Sequence, residues 1–140
     1  MHGKHSRFSE DAGRELSVIC AAVSETVRIT KEAFTTENLA LVERVEPLEQ
    51  VVDDLADALK LHHVARLQDG RCTIEQGFAF NDLLTDLERV SDHCSNIAVA
   101  MIELRVGSFD THEYLDSELQ KRSQSYERYY QAYKTKYALD

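Results

Sequence analysis

The sequence predicts an all-α protein, and three observations lead there. One proline and five glycines in 140 residues leave little to interrupt helices,. Apolar positions recur at spacings of three and four rather than two,. Helix start and stop signals bracket each apolar stretch, so an antiparallel three-helix bundle with an additional C-terminal helical tail is expected.

The first helix is expected over about residues 8 to 34, with Leu16, Ile19, Cys20, Val23, Val27, Thr30 and Phe34 on a core-facing stripe and a break at Thr35 and Thr36,. A second follows from about Glu37 to Leu67, carrying Leu41, Val45, Leu48, Val51, Val52, Leu55 and Leu59. Pro47 falls inside it. An interior proline removes a hydrogen bond and costs roughly 3 kcal/mol, so a kink is expected, or a short helix ending near Glu46 with a new one starting at Pro47. Asp69-Gly70 closes this segment, and Thr73 with Gln76 three residues on forms a capping box that opens the next,. The third helix, about Ile74 to Leu104, places Phe80, Leu83, Leu87, Val90, Cys94, Ile97 and Met101 along one seam and stops at Gly107. Asp110 and Glu113 give a further cap signature, and Ser123 to Ser125 separate the segment after it from a last stretch with Tyr126, Tyr129, Tyr130, Tyr133 and Tyr137 at largely helical spacing,. Residues 1–107 therefore read as the bundle and 108–140 as a tail packed on it within one domain. The tyrosines read as cover for the core, or as a partner-docking surface formed by Tyr126, Tyr129, Tyr130 and Tyr133.

Composition narrows the function. With 43% hydrophobic and 29% charged residues, one soluble core is expected,. A formal charge of −9 lacks the basic footprint of nucleic-acid binding and disfavours anionic lipid,. Cys20, Cys72 and Cys94 form no CxxC pair, which suits a reducing, cytoplasmic setting,. The longest apolar run, Ile97 to Ile102, is far short of the ~20 residues that cross a bilayer,.

The chemistry-bearing feature is two acidic pairs, Glu49 with Asp53 and Glu88 with Asp92. Residues four apart share a helix face, so each pair sets two carboxylates side by side, beside the buried seam rather than in it. Neighbouring antiparallel helices could merge the two stripes into a hard, oxygen-rich cation site, with Glu46, Asp57 and Asn96 as further ligands. The plainer reading is a solvated helix face. Few lysines or arginines flank the stripe to offset its self-repulsion. A di-iron carboxylate bundle would need Glu-x-x-His, which is absent,. Of the adjacent His62 and His63 one is expected at the core edge and the other in solvent. His93 and Cys94 diverge by ~100° on a helix and form no catalytic dyad, leaving Cys94 a core thiol. Phosphate-loop and hydrolase motifs are missing, so a non-enzymatic protein is expected.

The stretch LTDLERVSDHCSNIA, Leu84 to Ala98, resembles the third-helix motif of the PhoU phosphate-uptake regulator family, and EPLEQVVDDLAD, Glu46 to Asp57, resembles its partner motif. RLQDGRCTIEQG and FDTHEYL resemble the cytoplasmic PhoU-like domain of bacterial sodium/phosphate cotransporters. This resemblance implies a regulatory or adaptor role in phosphate transport and homeostasis, at the inner face of the membrane. It implies metal ions, iron or zinc, on Glu49, Asp53, Glu88 and Asp92, and a transporter membrane domain or phosphate-sensing kinase as partner. Full-length relatives repeat the three-helix unit that occurs once here, so pairing into a homodimer is a further expectation, as is origin as an excised transporter domain or a stand-alone descendant. Pro47 beside the first motif and Ser91, where the family often has glycine, depart from the pattern. The alternative is a purely structural oligomerisation or docking bundle without metal.

Overall fold

The structure, a computed structural model, describes residues 10–107 and 112–139, with side chains described outside 105–123. Among the described residues the chain forms α1 (Glu10–Thr36), α2 (Leu39–Gln68), α3 (Ile74–Gly107) and α4 (His112–Lys136), and no strand. Helices α1, α2 and α3 pack on one another, and α4 lies along α2. The expected bundle with its C-terminal helix is therefore present, while the Asp110–Glu113 cap signature lies outside the described residues.

Both turns of the bundle are set by local chemistry. After Thr36, Glu37 takes a left-handed φ of 55°, and Asn38 donates its N–H to the Ala33 carbonyl at 3.1 Å. Asn38 then caps α2, its side chain accepting from the Ala40 N–H at 3.0 Å,. At the other end Gly70 has φ 72°, with Gly70 bonded back to Leu67 and Arg71 to Arg66, the pair of bonds that defines a Schellman close,. The capping box forms as expected, Thr73 N to Gln76 Oε1 at 2.9 Å and Gln76 N to Thr73 Oγ1 at 3.1 Å,. Links this short make α1 and α2 antiparallel, α2 and α3 antiparallel, and α1 and α3 parallel.

Three expectations are corrected. Helix α2 runs unbroken through Pro47, which is itself buried, so the helix does not end at Glu46. Helix α4 continues through Ser123 to Ser125. The buried stripes of α1 and α3 are also rotated from the expected ones. In α1 the interior belongs to Ala12, Ile19, Ala22, Val23, Ile29 and Ala33, while Cys20, Val27 and Phe34 are exposed. Close contact between helices favours small side chains, and Thr26 and Thr30 satisfy their buried hydroxyls on the carbonyls four residues back, at 2.8 and 2.7 Å,. In α3 the interior row is Phe80, Leu84, Ser91, Cys94 and Ala98, and Leu83, Val90 and Ile97 stand outside it.

The core is completed by Leu48, Val52, Leu55 and Leu59 of α2, by Tyr133 of α4 and by Tyr137 in the turn just past its end. His63 is fully buried and stacks on Phe80, centroids 4.4 Å apart, while His62 is exposed. Burial, reinforced by nearby Arg66, holds the His63 imidazole below its ordinary pKa,.

Candidate functional site

The register of the α2–α3 hairpin brings the acidic pairs together. Near the closed end His63 stacks on Phe80, and Gly77 lies against Leu67 and His63. Running both helices away from that end sets Asp53 across from Glu88 and, one turn further, Glu49 across from Asp92,. The electrostatics carry the same pairing: Asp92 acts on Glu49, and Glu88 acts on Asp53.

Glu49 and Asp53 are half-buried at the base of this groove, Glu88 is partly covered, and Asp92 is exposed. Burial and then the neighbouring Asp53, with smaller pushes from Asp92 and Glu46, raise the Glu49 carboxyl to about 7,. Burial also raises Asp53, as do Glu88, Asp57 and Asp54, against the lowering effect of its hydrogen bond with Glu49. One proton held between the two carboxyls is the physical content: Glu49 donates, and Asp53 accepts as the carboxylate. Of the further candidates, Glu46 and Asp57 contribute their charge to this groove, whereas Asn96 stands exposed one turn beyond Asp92.

The stripe is less bare of cations than expected. Lys60 Nζ lies 2.8 Å from Glu88 Oε1, reaching across from α2. Among the described residues no group of three or more His, Cys, Asp or Glu side chains is gathered as a formed metal centre. The groove therefore neutralises part of its charge internally, with one lysine and one retained proton. Ser91, between Glu88 and Asp92 in sequence, points into the core with its hydroxyl unpartnered.

Helix α4 borders the same groove. Tyr126 lies near enough to Glu49, Glu46 and Asp54 for their charge to add to burial in raising its phenol. Tyr130 stacks on Tyr126, centroids 6.2 Å apart, and donates its hydroxyl to Asp54, a bond that pushes it up to about 12. Arg44 sits over the Tyr129 ring, 5.3 Å from its centroid, and Tyr133 is buried. The tyrosine row thus faces α2 in this chain.

Two ionic clusters had no motif to announce them. Buried Glu15 of α1 accepts from Arg66 at 3.0 Å and pairs with His62. It borders a cavity of about 240 Å³ lined also by Asp11, Arg14, Ala65 and Arg71. Each cation there has its own acid, Arg14 on Asp11 and Arg71 on Asp69, so the cluster is self-neutralised. Glu25 joins α1 to α4, accepting from Lys136 at 2.8 Å and from the Tyr137 hydroxyl. Acids at interior stripe positions were the available sequence signal.

Comparison with known proteins follows the same boundaries. The model of the PhoU domain matches residues 16–101. The chain is 26% identical over 94 residues to the phosphate-specific transport system accessory protein PhoU homolog 1 of Thermotoga maritima, covering 67% of this chain and 40% of that relative. It thus spans well under half of the relative's length. No solved structure shows a significant match. With the family model covering α2 entire, most of α1 and most of α3, the chain belongs to the PhoU domain family.

Proposed function

We propose that this chain is a non-enzymatic regulatory or adaptor module of phosphate transport and homeostasis, of the kind attached to sodium/phosphate cotransporters, working in the cytoplasm at the inner face of the membrane. Its partner on this reading is a transporter membrane domain or a phosphate-sensing kinase. No described helix is long and apolar enough to cross a membrane. The carrying observation is the α2–α3 groove, where Glu49, Asp53, Glu88 and Asp92 face one another and the half-buried Glu49 carboxyl retains its proton to about pH 7.

Hard carboxylate oxygens suit a divalent or trivalent ion such as iron or zinc. Holding one would require Glu88 to leave Lys60 and Glu49 to release its proton. A bound cation would then set the shape and charge of the surface offered to the partner. The test is metal analysis of untagged protein purified without chelator, joined to melting curves with iron, zinc or manganese. The melting temperature should rise with ion and fall with chelator, the rise shrinking below pH 7 as protons compete and vanishing in Glu88→Ala/Asp92→Ala. Wild-type melting indifferent to ion and chelator would remove the metal. The second reading, a docking bundle without metal, draws on the Lys60–Glu88 pair, which already neutralises one ligand. It requires that the double variant keep phosphate-responsive uptake.

A further inference from the structure

The three cysteines stand in different surroundings. Cys94 is a core thiol, Cys20 is exposed on α1, and Cys72 lies partly exposed in the turn that joins α2 to α3. Cys72 directly precedes Thr73, whose hydroxyl caps α3. Its Sγ is 3.7 Å from Nε2 of His63, within reach of an S–H···N hydrogen bond,. His63 is only 1% exposed, and its Nδ1 is buried with no hydrogen-bond partner. Among the described residues the polar edge of this ring therefore meets one group, the Cys72 sulfur.

The imidazole is held in that aim. Phe80 stacks on it at 4.4 Å between centroids and 8° between planes. Gly77 keeps the space beside Nε2 clear, since a Cβ there would lie 3.4 Å from that nitrogen. Burial, with help from Arg66, disfavours the charged ring, so the resting imidazole is neutral,. With its one hydrogen on Nδ1, the ring presents the Nε2 lone pair to the thiol and can take a proton from it. The sulfur also sits at the N-terminal end of α3, where the helix dipole favours developing negative charge,.

We propose that Cys72 is a redox-modification site, its thiol oxidised by hydrogen peroxide to a sulfenic acid with His63 carrying the proton. In this step the proton leaves Sγ for Nε2, and a sulfur electron pair forms an S–O bond to one peroxide oxygen. The O–O bond breaks, and the departing hydroxide takes the proton back from Nε2 to leave as water. Thiol and peroxide thus give sulfenic acid and water, the sulfur oxidised by two electrons and the peroxide reduced by two. Cys20 is more exposed but has no described histidine bonded to it, and Cys94 is shielded by the core. The fold can register the change at Cys72, because the new oxygen is added against the imidazole whose stack on Phe80 ties α2 to α3.

The test exposes the full chain to hydrogen peroxide at neutral pH, traps sulfenic acid with dimedone and reads each cysteine separately by peptide mass spectrometry. Chelator excludes metal-driven oxidation and keeps the result separate from the metal reading of the acidic groove. In the folded wild-type chain Cys72 should be labelled at least about 10-fold faster than Cys20, with Cys94 slowest,. In concentrated urea that advantage should vanish, a comparison that needs no variant. His63→Gln, with helical circular dichroism retained, should bring Cys72 down to the rate of Cys20 and leave Cys20 unchanged. A folded Cys72 no faster than Cys20, an advantage that survives unfolding, or a Cys72 rate indifferent to His63→Gln overturns the proposal.

Discussion

Two carboxylates show how placement alone decides the sign of an acid's contribution. Burial pushes the Glu25 carboxyl up, but Lys136 and Tyr137 together outweigh it and leave it below its ordinary value. Its contribution is present above the unfolded pKa of about 4.5 and lost as pH falls through the folded value,. Glu49 is the reverse case. The folded chain keeps a proton up to about 7 that the unfolded chain gives up near 4.5. Stability therefore falls as pH rises across that window. Glu49→Gln removes the titration while keeping a donor for Asp53. Discounted for partial exposure, the gain at pH 8 is about 1 to 2 kcal/mol, or roughly 3 to 6 °C in Tm, shrinking to nothing near pH 4.5. Melting curves across pH 4.5 to 8 check this, and a variant that tracks wild type at every pH refutes it. Acid at Glu15 has a different purpose: it pairs Arg66, whose side chain is only 6% exposed and stacks near Phe80, 5.6 Å from its centroid.

At the level of elements, the two bundle turns use the same left-handed device with opposite suitability. Gly70 at φ 72° carries no Cβ penalty, and nothing lies within 4 Å of a Cβ built there, so Gly70→Ala costs backbone strain alone, about 1 kcal/mol,. Glu37 at φ 55° bears that strain in the native chain. Glu37→Gly should therefore stabilise, by about 0.5 to 1 kcal/mol, since relief of strain exceeds the added freedom of the unfolded chain. Urea midpoints moving in opposite directions for the two substitutions, at unchanged m, would verify the assignment; a loss at Glu37 would contradict it. Pro47 fits the same logic. Its missing N–H is absorbed within a helix whose neighbours, Val45, Leu48, Val51 and Val52, are all buried, so packing outweighs the local cost,.

For the molecule as a whole, the bundle presents sides of distinct chemistry. The α2–α3 groove is acidic, the α1–α3 groove is apolar, and α4 seals α2 with tyrosines. That seal is part of the core: Tyr133 and Tyr137 are 7 and 9% exposed, and Glu25 depends on α4 for both partners described above. A chain ending at residue 107 would expose the α2 surface beneath the tyrosines and leave Glu25 without Lys136 and Tyr137. The expected result is loss of cooperative melting or a fall of at least 3 kcal/mol in unfolding free energy. Unfolding of the truncated chain at the wild-type urea midpoint would show instead that α4 is an appendage.

The three helices of the bundle, the capping box at Thr73 and Gln76 and the Asp69-Gly70 close were legible in the amino-acid order. Caps and turns are local, and a hairpin's register follows from its link. The PhoU motifs carried the family for the same reason, being contiguous. What only packing decided was which side of each apolar row is buried. A heptad row such as Cys20, Val27 and Phe34 resembles a core to a pattern of spacings, yet the interior went to Ala12, Ala22 and Ala33, because close helix contact selects side-chain volume as well as polarity,. The Lys60 reach to Glu88, the Glu15–Arg66 pair and the Glu25–Tyr137 bond likewise join residues 28 or more positions apart. Such pairs exist only once the helices lie beside one another, where desolvation makes an unmatched charge costly.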